Sequence, residues 1–209
     1  MSVLLVEDHP AVRYGLRTLI DAQPDLTVVA EADSVTTALA LAARHRPRVV
    51  VLPLRLEGAP RGVELCRALL AAPDPPRVLV YTSSSSTDEA TAAFLSGAHS
   101  YVHKGEAMER LLDTLRATAA GRRVWLLGPD PAGAAGRRPE GAPGPGAGAG
   151  PQVDTSRLTA RERDVLGLLL QRLTNAEIAA TLHVELPTVK THVSHILAKL
   201  GVANRRGLF

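Results

Sequence analysis

The side chains with the clearest chemical use lie between positions 188 and 199. If this segment is a helix, its outer face carries lysines, short hydroxyl side chains and a histidine: Thr188, Lys190, Thr191, Ser194, His195 and Lys199. A lysine can donate to guanine O6 and N7 or to a phosphate, and small hydroxyl groups can approach base edges closely. The face has no carboxylate that would repel phosphates. The pattern therefore favours a DNA-reading helix over a helix face that is only solvated.

Pro53 occupies a position in the sequence where a functional residue is expected. The stretch VVVLPLRLEG begins with apolar, mostly β-branched residues, which predict a buried parallel strand over residues 49–52. Open α/β sheets place their working residues at the carboxyl ends of such strands. Pro53 occupies that end, yet proline has no N–H to donate and no nucleophile.

Three predicted helices position the polar face. Thr159 and Glu162 form one predicted capping box, and Thr174 and Glu177 form a second. Pro187 suits the first turn of a third helix, whose apolar positions recur at helical spacing: Val189, Val193, Ile196, Leu197 and Leu200. A short helix, a tight turn and a longer helix with a basic outer face are typical of a helix-turn-helix.

Before residue 128, short apolar runs alternate with helical patterns. The predicted strands are residues 3–6, 27–30, 49–52, 77–81 and 100–103, and the predicted helices are residues 11–22, 35–44, 63–71, 88–96 and 108–120. This alternation predicts an α/β doubly wound (βα)5 domain with a parallel sheet and helices on both faces. Neither GxGxxG nor GxxxxGK[ST] follows the first strand, so no motif supports nucleotide binding.

The segment GPDPAGAAGRRPEGAPGPGAGAGPQ divides the chain. It consists almost entirely of glycine, alanine, proline and a few charges, so it cannot form a core and is expected to be a disordered tether. We therefore predict an α/β domain over residues 1–127, a linker over residues 128–154 and an all-α DNA-binding domain over residues 155–209.

The charge balance points to the same DNA-binding end. Residues 1–127 carry 14 basic and 14 acidic residues, whereas residues 155–209 carry 8 basic and 4 acidic ones. Such an excess in one domain favours contact with nucleic acid. The apolar runs fall short of the roughly 18 residues of a membrane span, and the N-terminal run is too short for a signal peptide. We therefore expect a cytoplasmic protein that does not contact membranes.

Composition argues against an enzyme. No nucleophile–base pair or metal cluster is evident in the sequence, and His192 and His195 lack further ligands at useful spacing. The single cysteine, Cys66, shares helical spacing with apolar residues and is expected to be a buried structural thiol.

The segment LTARERDVLGLLLQRLTNAEIAATLHVELPTVKTHVSHILAKLGVANR closely resembles the LuxR-type helix-turn-helix of the NarL/FixJ response regulators. The resemblance covers nearly all of residues 157–206 and includes the specific motifs LTxRERxVL, TNAEIA and TVKTHVSHILAKLGV. It implies base-edge contacts from Lys190, Thr191 and Ser194, and positions near the DNA backbone for Thr174, Asn175 and Arg205.

Two features depart from this family. Glu185 replaces the usual serine or aspartate cap of the recognition helix, which is expected to cost about 1 kcal/mol. The family's last helix continues past the Asn204–Arg205 pair and commonly forms the DNA-bound dimer contact, whereas this sequence ends at Phe209. We therefore expect pairing through the N-terminal domain.

Residues 2–122 resemble a receiver domain. The resemblance implies an acidic pair for a divalent metal, a hydroxyl that senses the phosphoryl group, a switch aromatic and a lysine that pairs with the phosphoryl group: Glu7 and Asp8, Thr82, Tyr101 and Lys104. His9 and Pro10 follow the acidic pair, as is common in the subfamily.

The phosphoacceptor aspartate is missing from this receiver-like domain. Alignment of LPLRLEGAPRGVEL with the family pattern LDLRLPGxxGxEL places Pro53 at the acceptor position and Glu57 at the position of the family's proline. With only two carboxylates facing Lys104, we expect an Asp8–Lys104 pair to form without metal and little specific Mg²⁺ binding.

These features predict an atypical response regulator that acts independently of aspartyl phosphorylation. The expected partners are double-stranded promoter DNA and a second copy of the chain, with RNA polymerase as a further partner and no dependence on a cognate sensor kinase. Two alternatives remain open: a phospho-switch through a non-standard acceptor, and a ligand-gated regulator in which Arg55, Lys104 and Thr82 contact an anionic or polar ligand.

Overall fold

The computed structural model describes residues 1–127 and 158–208. The predicted linker, residues 128–154, lies outside the described residues. Among the described helices, none combines the length and the apolar character needed to cross a membrane.

The N-terminal domain is built on one parallel sheet. Its six strands are β1 (Ser2–Val6), β2 (Thr27–Ala32), β3 (Val49–Leu52), β4 (Arg77–Thr82), β5 (Ser100–His103) and β6 (Val124–Leu126). They lie in the order β2-β1-β3-β4-β5-β6, and each neighbouring pair is parallel. All residues of β3 are buried, as expected for an apolar strand covered on both faces.

Helices cover both faces of the sheet. They are α1 (Pro10–Asp21), α2 (Val35–His45), α3 (Gly62–Leu70), α4 (Thr87–Leu95) and α5 (Met108–Ala119). The apolar residues of α1 and α5 form one core with one face of the sheet, and those of α2, α3 and α4 form a second core on the other face. The predicted doubly wound arrangement is confirmed, with each predicted element ending within two residues of its observed bounds.

The sixth strand was not predicted. β6 pairs with the edge of β5, with Ser100 opposite Val124. Between these strands and α4, the Trp125 ring packs against Phe94 at a centroid distance of 5.3 Å and against Tyr101 at 5.6 Å. β6 therefore extends both the sheet and the core beneath α4.

The described part of the C-terminal domain, residues 158–208, contains three helices and a short 3₁₀ turn. They are α6 (Ala160–Leu170), α7 (Asn175–Leu182), α8 (Leu186–Lys199) and the turn Arg205–Leu208. Both predicted capping boxes are present, at Thr159 and Thr174. Glu185 caps α8 without a side-chain hydrogen bond, as its poor capping ability predicts.

An ion pair fastens α8 to α6. Lys199 Nζ lies 2.7 Å from both carboxylate oxygens of Glu162, so its ammonium group is directed to α6 rather than to the predicted DNA-facing surface. Burial opposes ionisation of Glu162, but hydrogen bonds from Lys199 and Thr159 outweigh it and lower the pKa of this carboxyl to about 2.

The start of α3 requires a glycine. The Gly62 amide donates to the Leu54 carbonyl at 2.9 Å. A Cβ at position 62 would lie 2.1 Å from the Pro53 carbonyl oxygen and 2.6 Å from Leu54 Cα. The helix can therefore approach the loop after β3 only because position 62 has no side chain.

We expect Gly62→Ala to lower the free energy of unfolding by about 2 kcal/mol or more, because the added methyl overlaps backbone atoms that cannot rotate away. Gly15→Ala is the matched control, since a Cβ there meets nothing within 4 Å; it is expected to stabilise the helix by about 0.5–1 kcal/mol. Urea unfolding followed by circular dichroism measures both. Equal stabilities of the two variants would contradict this account of α3.

Candidate functional site

The predicted DNA-reading face lies on the outer side of α8. Its members are all exposed: Thr188, Lys190, Thr191, Ser194 and His195. The opposite side of α8 is buried, with Val189, Val193 and Ile196 in the domain core. The helix therefore presents its small polar side chains and one lysine on a free surface that is suited to a major groove.

Two of the predicted backbone-contacting residues begin α7. The Thr174 hydroxyl accepts a hydrogen bond from the Glu177 amide at 3.3 Å, and the side chain of Asn175 is half-buried in the first turn. Amides at the first turn of a helix can donate to a phosphate, so this end of α7 is suited to the DNA backbone.

Arg205, the third residue predicted to lie near the DNA backbone, contacts the protein itself. Its guanidinium donates to the Leu173 carbonyl in the turn before α7. Burial lowers the pKa of Arg205 from its ordinary value. The side chain thereby holds the 3₁₀ turn beside the start of α7, a contact that no local sequence pattern indicates.

The residues implied by the receiver resemblance meet at the carboxyl ends of the strands. Glu7 and Asp8 follow β1, Pro53 follows β3, Thr82 ends β4 and Lys104 follows β5. Glu7 is 1% exposed, and Lys104 Nζ lies 2.7 Å from its Oε2 atom. The structure therefore brings these residues to one edge of the sheet, around an ion pair whose carboxylate is buried.

The prediction of an Asp8–Lys104 pair is wrong, because Lys104 pairs with Glu7. A buried carboxylate needs a counter-ion more than a partly exposed one does. Asp8 instead accepts a hydrogen bond from the Glu57 amide at 2.8 Å, and His9 Nδ1 lies 3.0 Å from Asp8 Oδ1. Both carboxylates are therefore satisfied by groups of this chain.

His9 contributes to the site in a way that the sequence analysis missed. Its Nδ1 atom lies 3.1 Å from Glu7 Oε1 as well as close to Asp8. Potential ligand atoms of these three residues lie within 4.8 Å of one another. In the sequence, only the position of His9 directly after the acidic pair indicates that it contributes to the site.

This donor set does not fit the Mg²⁺ that receiver domains use. Mg²⁺ requires near-octahedral oxygen coordination, for which the family supplies a carboxylate at position 53 in addition to the acidic pair. The ammonium group of Lys104 already neutralises Glu7, and Pro53 supplies no carboxylate. We therefore assign no step to a metal.

The acceptor position itself is closed. Pro53 is buried, and no atom of its ring can attack phosphorus. Glu57, the nearby carboxylate, has a left-handed backbone with φ of 56°, and its side chain pairs with Arg61 at 3.1 Å. The Glu57 carboxylate therefore serves as the ion-pair partner of Arg61 in the loop between β3 and α3.

The switch aromatic is packed inward. Tyr101 is fully buried, its hydroxyl donates to the Ser84 carbonyl at 2.7 Å, and its ring stacks on Trp125. Burial, and secondarily the nearby Glu89, raise the pKa of Tyr101 above its ordinary value. Because Ser84 lies in the loop that leads into α4, this hydrogen bond links β5 to the start of that helix.

The groups named for a ligand-gated alternative also have partners within the protein. Arg55 donates to the Gly58 carbonyl at 3.1 Å, Lys104 pairs with Glu7, and the Thr82 hydroxyl accepts from the Ser84 amide at 3.3 Å. A ligand would have to replace these contacts.

Comparison with known proteins identifies both domains. The response regulator receiver domain matches residues 3–116, and the luxR family of bacterial regulatory proteins matches residues 156–209. Among solved structures, a two-component response regulator of the LuxR family from Aurantimonas sp. SI85-9A1 is similar with a TM-score of 0.56 and 36% identity, covering 59% of this chain and 87% of that one.

Two curated relatives match over nearly the whole length. The DNA-binding transcriptional activator DevR/DosR of Mycobacterium tuberculosis is 41% identical over 205 residues, which cover 98% of this chain and 90% of that protein. The nitrate/nitrite response regulator protein NarL of Escherichia coli is 34% identical over 204 residues, which cover 98% and 91%. The chain therefore belongs to the LuxR-type (NarL/FixJ) response regulators and is a DNA-binding transcriptional regulator, not an enzyme.

Proposed function

We propose that this regulator binds specific promoter DNA as a homodimer in the cytoplasm, without aspartyl phosphorylation. The observation that carries the proposal is the buried Pro53 at the acceptor position, beside a Glu7–Lys104 ion pair at 2.7 Å. In a phosphorylatable receiver, a lysine at this position would pair with the phosphoryl group. Here its charge is already compensated in the resting protein.

A phospho-switch through another acceptor finds little support in this geometry. Asp8 is engaged by the Glu57 amide, and Glu57 is engaged by Arg61. Phosphorylation of either carboxylate would break these contacts, and Lys104, the residue that the family uses to pair with the phosphoryl group, is held by Glu7. We therefore infer that regulation does not depend on a cognate sensor kinase.

We expect no phosphoryl group on the full-length protein after incubation with acetyl phosphate and Mg²⁺, as measured by intact-mass spectrometry. The control is Pro53→Asp, which supplies a nucleophile next to Glu7, Asp8 and Lys104 and is expected to gain one phosphoryl group. Labelling of the unaltered protein, located by peptide mapping to Glu57 or another residue, would contradict phosphorylation independence.

DNA recognition is assigned to α8, with phosphate contacts at the start of α7. The exposed side chains Lys190, Thr191 and Ser194 lie on one face of the helix. Thr188 and His195 extend this face at its two ends. Promoter DNA is the proposed target, and RNA polymerase is a further partner that transcription regulation implies.

Lys190→Ala is expected to weaken binding by about tenfold, because one cationic donor to a guanine or a phosphate is lost. Fluorescence anisotropy with a duplex selected from random sequences measures the affinity. The control is Arg44→Ala, which removes the same charge from an exposed position on α2. Equal losses in both variants would show that Lys190 acts only through net charge.

Pairing of two copies is assigned to the receiver. On α1, the Tyr14 residue is 74% exposed, and Val12 and Leu19 are more than a third exposed. Tyr14 lies on the side of α1 away from Val12 and Leu19, and an exposed aromatic side chain favours a protein contact. Two linked DNA-binding domains would bind two half-sites with much higher affinity than one.

Tyr14→Glu is therefore expected to convert a dimer to a monomer at micromolar concentration, because the charge would be buried unpaired in the contact. Analytical ultracentrifugation measures the mass. Thr36→Glu places the same charge at an exposed position of α2 and is expected to leave the dimer intact. A Tyr14→Glu protein that remains dimeric would exclude this face.

A further inference from the structure

The receiver and the DNA-binding domain contact each other through α4 and α6. These two helices contact one another more extensively than any other pair of described helices. The apolar core beneath α4 is continuous with that of the DNA-binding domain. The two domains are thus packed on each other in addition to being joined along the chain.

A glycine allows the close approach of the two helices. Gly167 lies on α6 against the first turn of α4, and a Cβ there would lie 1.9 Å from Thr87 Cγ2, 2.8 Å from Thr91 Oγ1 and 3.1 Å from the Thr87 carbonyl oxygen. Directly after the end of α6, Gln171 Nε2 donates to Thr87 Oγ1 at 2.9 Å. This hydrogen bond fixes the Thr87 side chain in the position that a methyl group at 167 would occupy.

Charged side chains from both domains line a cleft beside this contact. Beside the glycine, α4 and α6 border a cleft, to which the receiver contributes Arg67 and Asp88 and α6 contributes Arg163 and Asp164. Each side therefore carries one cation and one anion. The cleft is therefore lined by charges of both signs from both domains.

This arrangement leaves the DNA-reading face free. α6 is packed between α4 on one side and α7 and α8 on the other. The reading face, including Lys190, Thr191 and Ser194, is exposed while α6 is docked. Docking and DNA contact thus use different sides of the domain.

We propose that α4 is a permanent docking surface for α6, which holds the DNA-binding domain with α8 facing outward in both the free and the DNA-bound protein. The proposal rests on the proposed function and extends it, because the receiver then determines where the recognition helix lies. Since α6 covers α4, a second copy must pair through another receiver face.

A cross-link across the cleft tests this directly in the full-length protein. Ala92→Cys on α4 and Ala160→Cys on α6 introduce thiols at two residues that line the same cleft. A short bis-maleimide then joins them. The native Cys66 is buried, and burial raises the pKa of its thiol to about 11, so it is expected to stay unmodified.

We expect rapid cross-linking within one chain and an unchanged DNA dissociation constant, within about twofold, after cross-linking. A weakening of about tenfold or more on cross-linking would overturn the proposal, because undocking would then be needed for binding. Slow or absent cross-linking would overturn it as well. If the protein fails to bind DNA before cross-linking, the proposed function fails instead, and the two failures are distinguishable.

Gly167→Ala in the cysteine pair background supplies the second measurement. We expect cross-linking to slow by about tenfold or more, because the methyl group separates the helices, although alanine favours helix formation in α6 itself. Gly15→Ala, with open space around its Cβ, is expected to leave the rate unchanged. Equal rates in all three proteins would show that no close α4–α6 contact exists in solution.

Discussion

A carboxylate buried at the end of β1 constrains the whole carboxyl-terminal edge of the receiver. Glu7 is almost completely removed from water, and an unpaired charge in such a position would be strongly destabilising. Lys104 supplies the counter-charge from the end of β5. This pair spans the edge of the sheet across β3 and β4, and the family places its phosphoacceptor at the end of β3.

The effect of this ion pair on function depends on the residue at position 53, which is proline. In a receiver with an aspartate at this position, three carboxylates face one lysine, and a divalent metal relieves the repulsion. With proline there, Glu7 and Lys104 neutralise one another, and Asp8 is satisfied by the Glu57 amide and His9. Each of these three charged side chains thus has a partner within the protein. The buried Tyr101 donates to a carbonyl of the β4–α4 loop.

Most of the fold could be predicted because it is encoded locally. Capping boxes at Thr159 and Thr174 and the periodicity of α8 depend on neighbouring residues, so the sequence displays them directly. β6 was missed because it has three residues and is stabilised by pairing with β5 rather than by its own pattern. Local patterns carry no information on such an edge pairing.

Which residues belong to each site could be predicted more readily than which of them contact one another. The resemblance placed Glu7, Asp8 and Lys104 in one site, but which carboxylate pairs with the lysine depends on burial, which only the folded chain defines. Likewise, Lys199 has the spacing of a DNA-facing residue, yet it turns to the buried Glu162 on another helix. The role of Gly167 depends on a receiver helix about 80 residues away in the chain, and no local signal marks it.

The most direct test of the central claim is the affinity of the unaltered full-length protein for its selected DNA site, measured with and without acetyl phosphate and Mg²⁺. The account predicts dissociation constants that agree within about twofold, because no residue accepts the phosphoryl group. A tightening of about tenfold or more with the phosphodonor would contradict it, since phosphorylation would then control DNA binding despite Pro53.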